Sequence, residues 1–372
     1  MGIETWQFPH CPAGPEWADD WPALQGRFAW IAAMAGVPQE PAYHAEGDVL
    51  THTRMVAETL AGLDEWRALA AEAERTMLFA AALLHDVAKP VCTRIETDGR
   101  VISPRHAHVG GTMARALLWA GDGLDTAPPF PMRETVSRLV RYHGLPLWFF
   151  EKPDPTRAVI EASQSVRLDW VALLAEADVR GRICDDQQEL LDRIALFRAF
   201  CEESRCYRNP RAFASDHSRF VYFHRPSADP DYAAFDDTVC EVILMAGLPA
   251  AGKDTWIREH HADWPVISLD QLRRELHITP KDDQGKVVWA AKERAREHLR
   301  RHESFVWNAT NITRSIRAPL IELFASYRAR VRIVYLDANR DTLLQRNAAR
   351  AQRVPAAIIE KLARKLDVPD LT

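Results

Sequence analysis

Glu241-Val-Ile-Leu-Met-Ala246 followed by Gly247-Leu-Pro-Ala-Ala-Gly252-Lys253-Asp254-Thr255 is the stretch that decides the fold of the C-terminal part of this chain. A short apolar run reads as a buried strand, the glycines bound a turn, and a helical pattern follows. This is GxxxxGK in its strand-to-helix setting. Glycine lets backbone N–H groups turn inward around phosphate oxygens, the helix N-terminus adds partial positive charge, and Lys253 reaches the β- and γ-phosphates. Gly247, Leu248, Pro249, Ala250, Ala251, Gly252, Lys253, Asp254 and Thr255 are the expected nucleotide-binding residues. The residue after the lysine is ordinarily Ser or Thr, whose hydroxyl ligates Mg²⁺; here it is Asp254. A carboxylate binds Mg²⁺ directly or through water, yet it places negative charge beside the nucleotide. Thr255 is a nearby hydroxyl.

Outward from this loop, Pro265–Leu276, Ser304–Arg317 and Val331–Arg346 each repeat an apolar run, a turn and a helical pattern. That alternation predicts an α/β unit with a parallel sheet. Val266-Ile-Ser-Leu269 ends at Asp270, with Arg273 one helical turn on. At the mouth of a parallel sheet this pair can deprotonate a hydroxyl and fix its neighbouring phosphate. Asp270 also fits the N-cap of a helix over Gln271–Leu276. Arg346, Arg350 and Arg353 recur at three- and four-residue spacing, predicting one face of a helical lid over the phosphates.

The other half reads differently. From about Asp48 to Tyr207 apolar residues recur at three- and four-residue intervals between Pro- and Gly-containing breaks such as Thr97–Arg105, which predicts an all-α domain. Trp6–Gly47 is expected to form an irregular or partly helical wrap. His85-Asp86 closes an apolar helix, and His52, His106, His108, His143 and Asp178 lie on other segments. Imidazoles with carboxylates suit borderline divalent metals. The expected domains are 1–214, a connector at 215–238 able to pack as a strand, and 239–372.

Composition bounds the class. With 47% hydrophobic and 27% charged residues, the chain is that of a globular protein. No apolar run approaches the ~20 residues of a membrane span. The N-terminus has no basic start before an apolar run, and Trp6 stands where a myristoylation signal has Ser or Thr. Six scattered cysteines form no CxxC pair, so a reducing cytoplasm is the expected setting. The net charge of −5 is uneven: Gly285 to the end carries 18 Lys+Arg against 9 Asp+Glu, which is +9 and leaves −14 for the remainder.

The ordered set His52, His85-Asp86-Val-Ala-Lys89, His106-Ala-His-Val-Gly-Gly111, Tyr-His143-Gly and Ala-Asp178-Val-Arg-Gly-Arg182 resembles the HD phosphohydrolase superfamily. It is especially similar to the HD domain of bacterial CCA-adding tRNA nucleotidyltransferases. The resemblance implies a first metal on His52, His85, Asp86 and Asp178, and a second on His106 and His143 with Asp86 bridging. It favours His106 over His108 as ligand, because the family's histidine lies four residues before a glycine, here Gly110. His108 is left as a second ligand or a substrate contact, and Lys89, Arg180 and Arg182 as phosphate-binding groups, with Lys89 acting in catalysis. Nine other histidines, His44 among them, are expected at surface or capping positions.

Gly247–Trp256, Ser268–Arg273, Asn308-Ala-Thr-Asn311 and Arg346–Pro355 together resemble the 5′-hydroxyl polynucleotide kinase family, including the bacteriophage enzyme. That resemblance implies Asp270 as general base, Arg273 as acceptor-phosphate contact and Arg350 as lid arginine assisted by Arg346. Thr310 and Asn311 are implied substrate contacts, while Ala309 replaces the phage enzyme's aspartate. An HD module ahead of such a kinase is similar to the bacterial HD-Pnk end-healing proteins. The implied protein is a two-domain enzyme, an all-α HD phosphoesterase joined to an α/β P-loop kinase with a parallel sheet and helical lid. It would use ATP or another NTP with Mg²⁺, and one or two divalent metals such as Mn, Co, Ni, Cu or Zn. Its substrates would be RNA or DNA ends, with a separate ligase as partner and no membrane. The alternative is an HD nucleotidase fused to a small-molecule kinase. The basic C-terminal part and the Asp270/Arg273 pair lean against it, because a small acceptor needs no extended basic channel.

Overall fold

The computed structural model describes residues 6–279 and 281–372. Met1 and Gly2, on which the lipidation reading falls, lie outside them. The chain divides into a helical unit running to Phe213 and joined by Asp370–Thr372, and an α/β unit over Ala214–Pro369.

In the helical unit, Glu72–Leu84 is the central helix. Its sequence is apolar nearly all round, and every residue from Thr76 to Leu84 is buried, as expected of a helix covered on all sides. Val49–Gly62 packs one face against it, burying Val49, His52, Thr53, Val56, Ala57 and Leu60 at helical spacing. His106–Ala120, Phe130–Tyr142 and Leu168–Arg180 complete the shell, with Gln187–Glu203 packed on the last of these. The N-terminal wrap is partly helical, with Trp21–Arg27 and Ala29–Ala32. It is anchored by Trp6 and Phe8, both 2% exposed, and Phe8 stacks on Phe28 at 5.1 Å. A small hairpin, β1 (Arg94–Ile95) with β2 (Val101–Ile102), runs into the break at Thr97–Arg105, and helical periodicity does not disclose it. Its Asp98-Gly99 turn is the signal for it.

The α/β unit holds four parallel strands, β3 (Cys240–Ala246), β4 (Val266–Ser268), β5 (Phe305–Asn308) and β6 (Ala329–Tyr335), in the order β4-β5-β3-β6. Helices cover both faces. Val242, Leu244, Phe305 and Trp307 point to one core, whereas Ile243, Met245 and Val306 point to the other with Ile257. β3 therefore reads as a continuous apolar run rather than an alternating one. The chain crosses from β3 to the far edge and returns to β5, so the crevice beyond the carboxyl ends of β3 and β5 is a ligand position of such sheets.

Two local expectations are corrected. Asp216–His224, inside the expected connector, is a helix and not a strand: Ser215 caps it by accepting from Ser218 N at 3.0 Å, and Phe220 stacks on His224 one turn later. Asp270 is not a helix N-cap. Ser268 takes that place, its hydroxyl accepting from Gln271 N at 3.3 Å, and Asp270 falls in the first turn of Leu269–Glu275.

Candidate functional site

Close helix packing builds the first centre. A Cβ on Gly181 would stand 2.8 Å from the backbone of Val56, so only glycine lets the end of Leu168–Arg180 meet Val49–Gly62 and bring Asp178 to His52. A Cβ on Gly111 would stand 3.0 Å from Ser137 O. Glycine there lets His106–Ala120 lie against Phe130–Tyr142, whose end carries His143. His85 and Asp86 follow Leu84 directly and are buried.

The six residues read from the sequence converge. His52 Nε2 lies 3.1 Å from Asp178 Oδ1, 3.3 Å from His85 Nε2 and 3.8 Å from Asp86 Oδ2. His85 Nε2 is 3.3 Å from Asp86 Oδ2, and His106 Nε2 is 3.5 Å from Asp86 Oδ1. Two groups result, His52/His85/Asp178 and Asp86/His106/His143, each with its donor atoms within 4.8 Å of one another. His85, His106 and His143 each place Nδ1 on a carbonyl three residues earlier, Ala82, Ser103 and Val140, at 2.7 to 2.8 Å. Those bonds select the tautomer with Nδ1–H and leave Nε2 as a ligand atom.

A divalent cation fits this donor set. Asp86 Oδ1 is buried and accepts no hydrogen bond from the protein, an orphan that buried carboxylates rarely leave. Burial would raise the Asp86 carboxyl, but Lys89, His85 and His106 override it and hold it well below the usual range. Arg182 and His52 do the same for Asp178 against its own burial. Burial, with His85 and His106 adding to it, pushes His143 down to about 3, so it stays neutral and able to ligate. Lys89 Nζ donates to Asp86 Oδ2 at 2.7 Å and to Gln39 Oε1 at 2.6 Å, and Arg182 forks onto Asp178 at 2.6 and 3.2 Å.

Two expected contacts lie elsewhere. His108 is exposed, since two residues on from His106 the helix has turned ~200°. Arg180 stands off from Asp178 for the same reason and pairs with Glu176 at 2.8 Å. One histidine expected at the surface is part of the centre. His44 is mostly covered, lies 4.7 Å from the His52 ring, and is lowered to about 4 by burial. Glu46, which motif spacing does not reveal, accepts from His44 Nδ1 at 2.8 Å on one oxygen, which also stands 2.9 Å from His52 Nδ1, and from Ile183 N at 2.9 Å on the other.

The second centre lies beyond the carboxyl end of β3. Gly247–Gly252 leads into Lys253–His260, and Lys253 Nζ donates to Gly247 O and Leu248 O, each at 2.9 Å. Burial lowers Lys253 to about 8; Asp254 and Asp270 pull it back, and Arg350 adds to the lowering. Asp270 pairs with Arg273, whose Nε donates to Gln284 at 2.7 Å. Asp254 Oδ1 accepts from Asn308 at 2.7 Å, and the exposed Thr255 accepts from Arg258 at 3.2 Å.

Three lid and loop expectations change. Arg346 sits in the last turn of Arg340–Ala348 and donates to Ala251 O at 3.3 Å. That helix ends at Ala348, so Arg350 and Arg353 follow it in a loop instead of sharing its face. Asn347 bends the chain there by bonding Val354 through both its amide ends, at 2.7 and 3.0 Å. Asn311 is 3% exposed with its amide committed to Met245 O at 2.7 Å, which makes it a brace for the sheet end. Thr310 O accepts from Gly247 N at 2.9 Å, a backbone tie to the phosphate loop.

A model described as an HD domain matches residues 49–162, and one described as an AAA domain matches 242–369. The HD match spans His52, His85, Asp86, His106 and His143 and stops before Asp178, which the geometry adds. A curated relative, the L-seryl-tRNA(Sec) kinase of Methanococcus maripaludis, is 24% identical over 135 residues, 34% of this chain and 53% of its own length. The chain thus spans about half of that relative. The crystal structure of a gluconokinase from Sinorhizobium meliloti is also similar, with a TM-score of 0.28 and 21% identity over 36% of this chain and 78% of that one. The chain joins a helical HD domain to a P-loop kinase-like domain with a four-stranded parallel sheet. Among the described residues no helix is long and apolar enough to cross a membrane.

Proposed function

We propose that this chain heals nucleic-acid ends: its HD unit hydrolyses 2′,3′-cyclic or terminal phosphates, and its kinase unit phosphorylates 5′-hydroxyls. The observation that carries the kinase half is the Asp270–Arg273 pair, set on the helix that follows β4 in the sheet whose β3 leads into the phosphate loop. A carboxylate so placed takes the proton of an acceptor hydroxyl while the guanidinium holds the adjoining phosphate. The 5′ oxygen then bonds the γ-phosphorus of an NTP as the β–γ bridge breaks, releasing the diphosphate. Lys253, with Arg350 and Arg346, neutralises the charge that develops on the transferred group. The +9 balance from Gly285 onward suits a polyanionic acceptor.

In the HD unit, His52, His85, Asp86, Asp178, His106 and His143 would hold one or two divalent metals. A bound cation supplies Lewis acidity and lowers the pKa of water at the centre. Lys89 and Arg182, beside Asp86 and Asp178, orient the scissile phosphate. Product ends of both units suit a separate ligase.

Two assays on the full chain test this. One offers a 5′-OH oligonucleotide beside a free nucleoside with labelled ATP. The other offers an oligonucleotide ending in a 2′,3′-cyclic phosphate with Mn, Co, Ni, Cu, Zn and Mg compared. Preference for the oligonucleotide and metal-dependent opening of the cyclic phosphate are expected. Phosphorylation of the nucleoside alone would replace the reading with a small-molecule kinase, and activity on neither substrate would end it.

A further inference from the structure

In P-loop phosphotransferases the Mg²⁺ that accompanies the nucleotide is held by a hydroxyl directly after the loop lysine and by an aspartate elsewhere in the site. This chain has the carboxylate at the hydroxyl's place, Asp254. The side chain that meets it is an amide: Asn308, the last residue of β5, donates from Nδ2 to Asp254 Oδ1 at 2.7 Å. β5 is paired in parallel with β3, so Asn308 stands beside the entrance to the phosphate loop. A second carboxylate at residue 308 would face the first at that distance, and two such groups cannot both ionise freely. Asn308 is buried, whereas Asp254 is exposed and its Oδ2 has no protein partner among the described residues. The amide thus fixes one carboxylate oxygen and leaves the other for a cation, an oxygen donor of the kind Mg²⁺ takes.

We infer that Asp254 supplies the carboxylate ligand for the Mg²⁺ of the bound nucleotide, with Asn308 as its positioning residue. The single negative charge of the ordinary hydroxyl–aspartate pair is kept and moved to the position after the lysine. The inference rests on reading the α/β unit as an NTP kinase and is independent of the acceptor.

The test is the ATP affinity of the full chain, measured by calorimetry in EDTA and across a Mg²⁺ series. Mg²⁺ should strengthen binding to the native chain. Asp254→Asn keeps the contact with Asn308 but removes the charge, and should need at least about tenfold more Mg²⁺ for the same affinity, since even outer-shell losses cost 10- to 100-fold. Asp254→Ser should behave likewise, and adding Asn308→Asp to it restores the ordinary arrangement and should recover most of the response. Thermal melts check that each variant folds; should the double variant fail to fold, the two single variants decide. A native response in Asp254→Asn, or a folded double variant no better than Asp254→Ser, overturns the inference. A native chain that binds ATP equally with and without Mg²⁺ overturns it too, while leaving the nucleotide site standing. A chain that binds no ATP at all removes the kinase reading with it.

Discussion

The HD centre and the phosphate-loop centre solve the problem of holding charge in opposite ways. His52, His85, Asp86, His143 and Asp178 are no more than 5% exposed and are locked to one another before any ligand arrives. In the kinase unit the Asp270 side chain is 73% exposed, Arg346 is exposed, and Arg350 follows the end of its helix. Buried charges must be paired or bound to a metal, so the first site is assembled by folding. The second would be completed by its substrates, as phosphoryl transfer by positioning requires. Point changes should therefore damage the two sites differently.

The largest expected effect is in the packed site. Asp86→Asn should lower phosphoesterase turnover by more than about a hundredfold, beyond the cost of removing an outer partner, and should leave ATP-dependent phosphorylation unchanged. Asp270→Ala should cost about 10²–10⁴ in phosphorylation with almost no change in melting temperature, because an exposed pair contributes at most about 1 kcal/mol. Equal destabilisation by the two variants would break the contrast between a folded-in and an open site.

Glu46→Gln sharpens it. Of the four histidines His52, His85, His106 and His143, His52 has its Nδ1 facing a carboxylate and not a backbone carbonyl. Loss of that charge should weaken Co²⁺ or Zn²⁺ binding about 10- to 100-fold in a calorimetric titration. An unchanged affinity would reduce Glu46 to a loop anchor.

A smaller effect is expected at Lys253. Its free ammonium titrates at about 8, so at pH 8.5 it is partly neutral, and phosphate binding should draw a proton back onto it. Calorimetry of ATP binding in buffers of different ionisation enthalpy should show proton uptake at pH 8.5 and almost none at pH 6.5. The smallest effect concerns acid. His44 and His143 are held down to about 4 and about 3, against about 6.5 in an unfolded chain. Between those values the unfolded state binds more protons, so stability falls as pH drops below 6.5. In EDTA the melting temperature should be lower at pH 5 than at pH 7, and His44→Gln should flatten that slope.

Much of this was legible in the residues. Four apolar runs followed by turns and helices disclosed the parallel sheet, because β3 from Val242 onward and β5 up to Trp307 are covered on both faces and carry no polar residue. The six residues that meet in the HD unit were readable as an ordered pattern, and the glycines at 111 and 181 explain why that pattern includes them. Glu46 and His44 were not readable, since they act through a loop that reaches His52 only after folding. The lid helix was overextended because Arg346, Arg350 and Arg353 keep helical spacing, while the Asn347 bonds to Val354 that end it are tertiary.

The most direct test of the two-site account uses one oligonucleotide carrying a 5′-OH and a 2′,3′-cyclic phosphate, incubated with ATP, Mg²⁺ and Mn²⁺. The native chain should convert both ends, Asp86→Asn only the 5′ end, and Asp270→Ala only the 3′ end. Loss of both conversions in either folded variant, or survival of both, would contradict it.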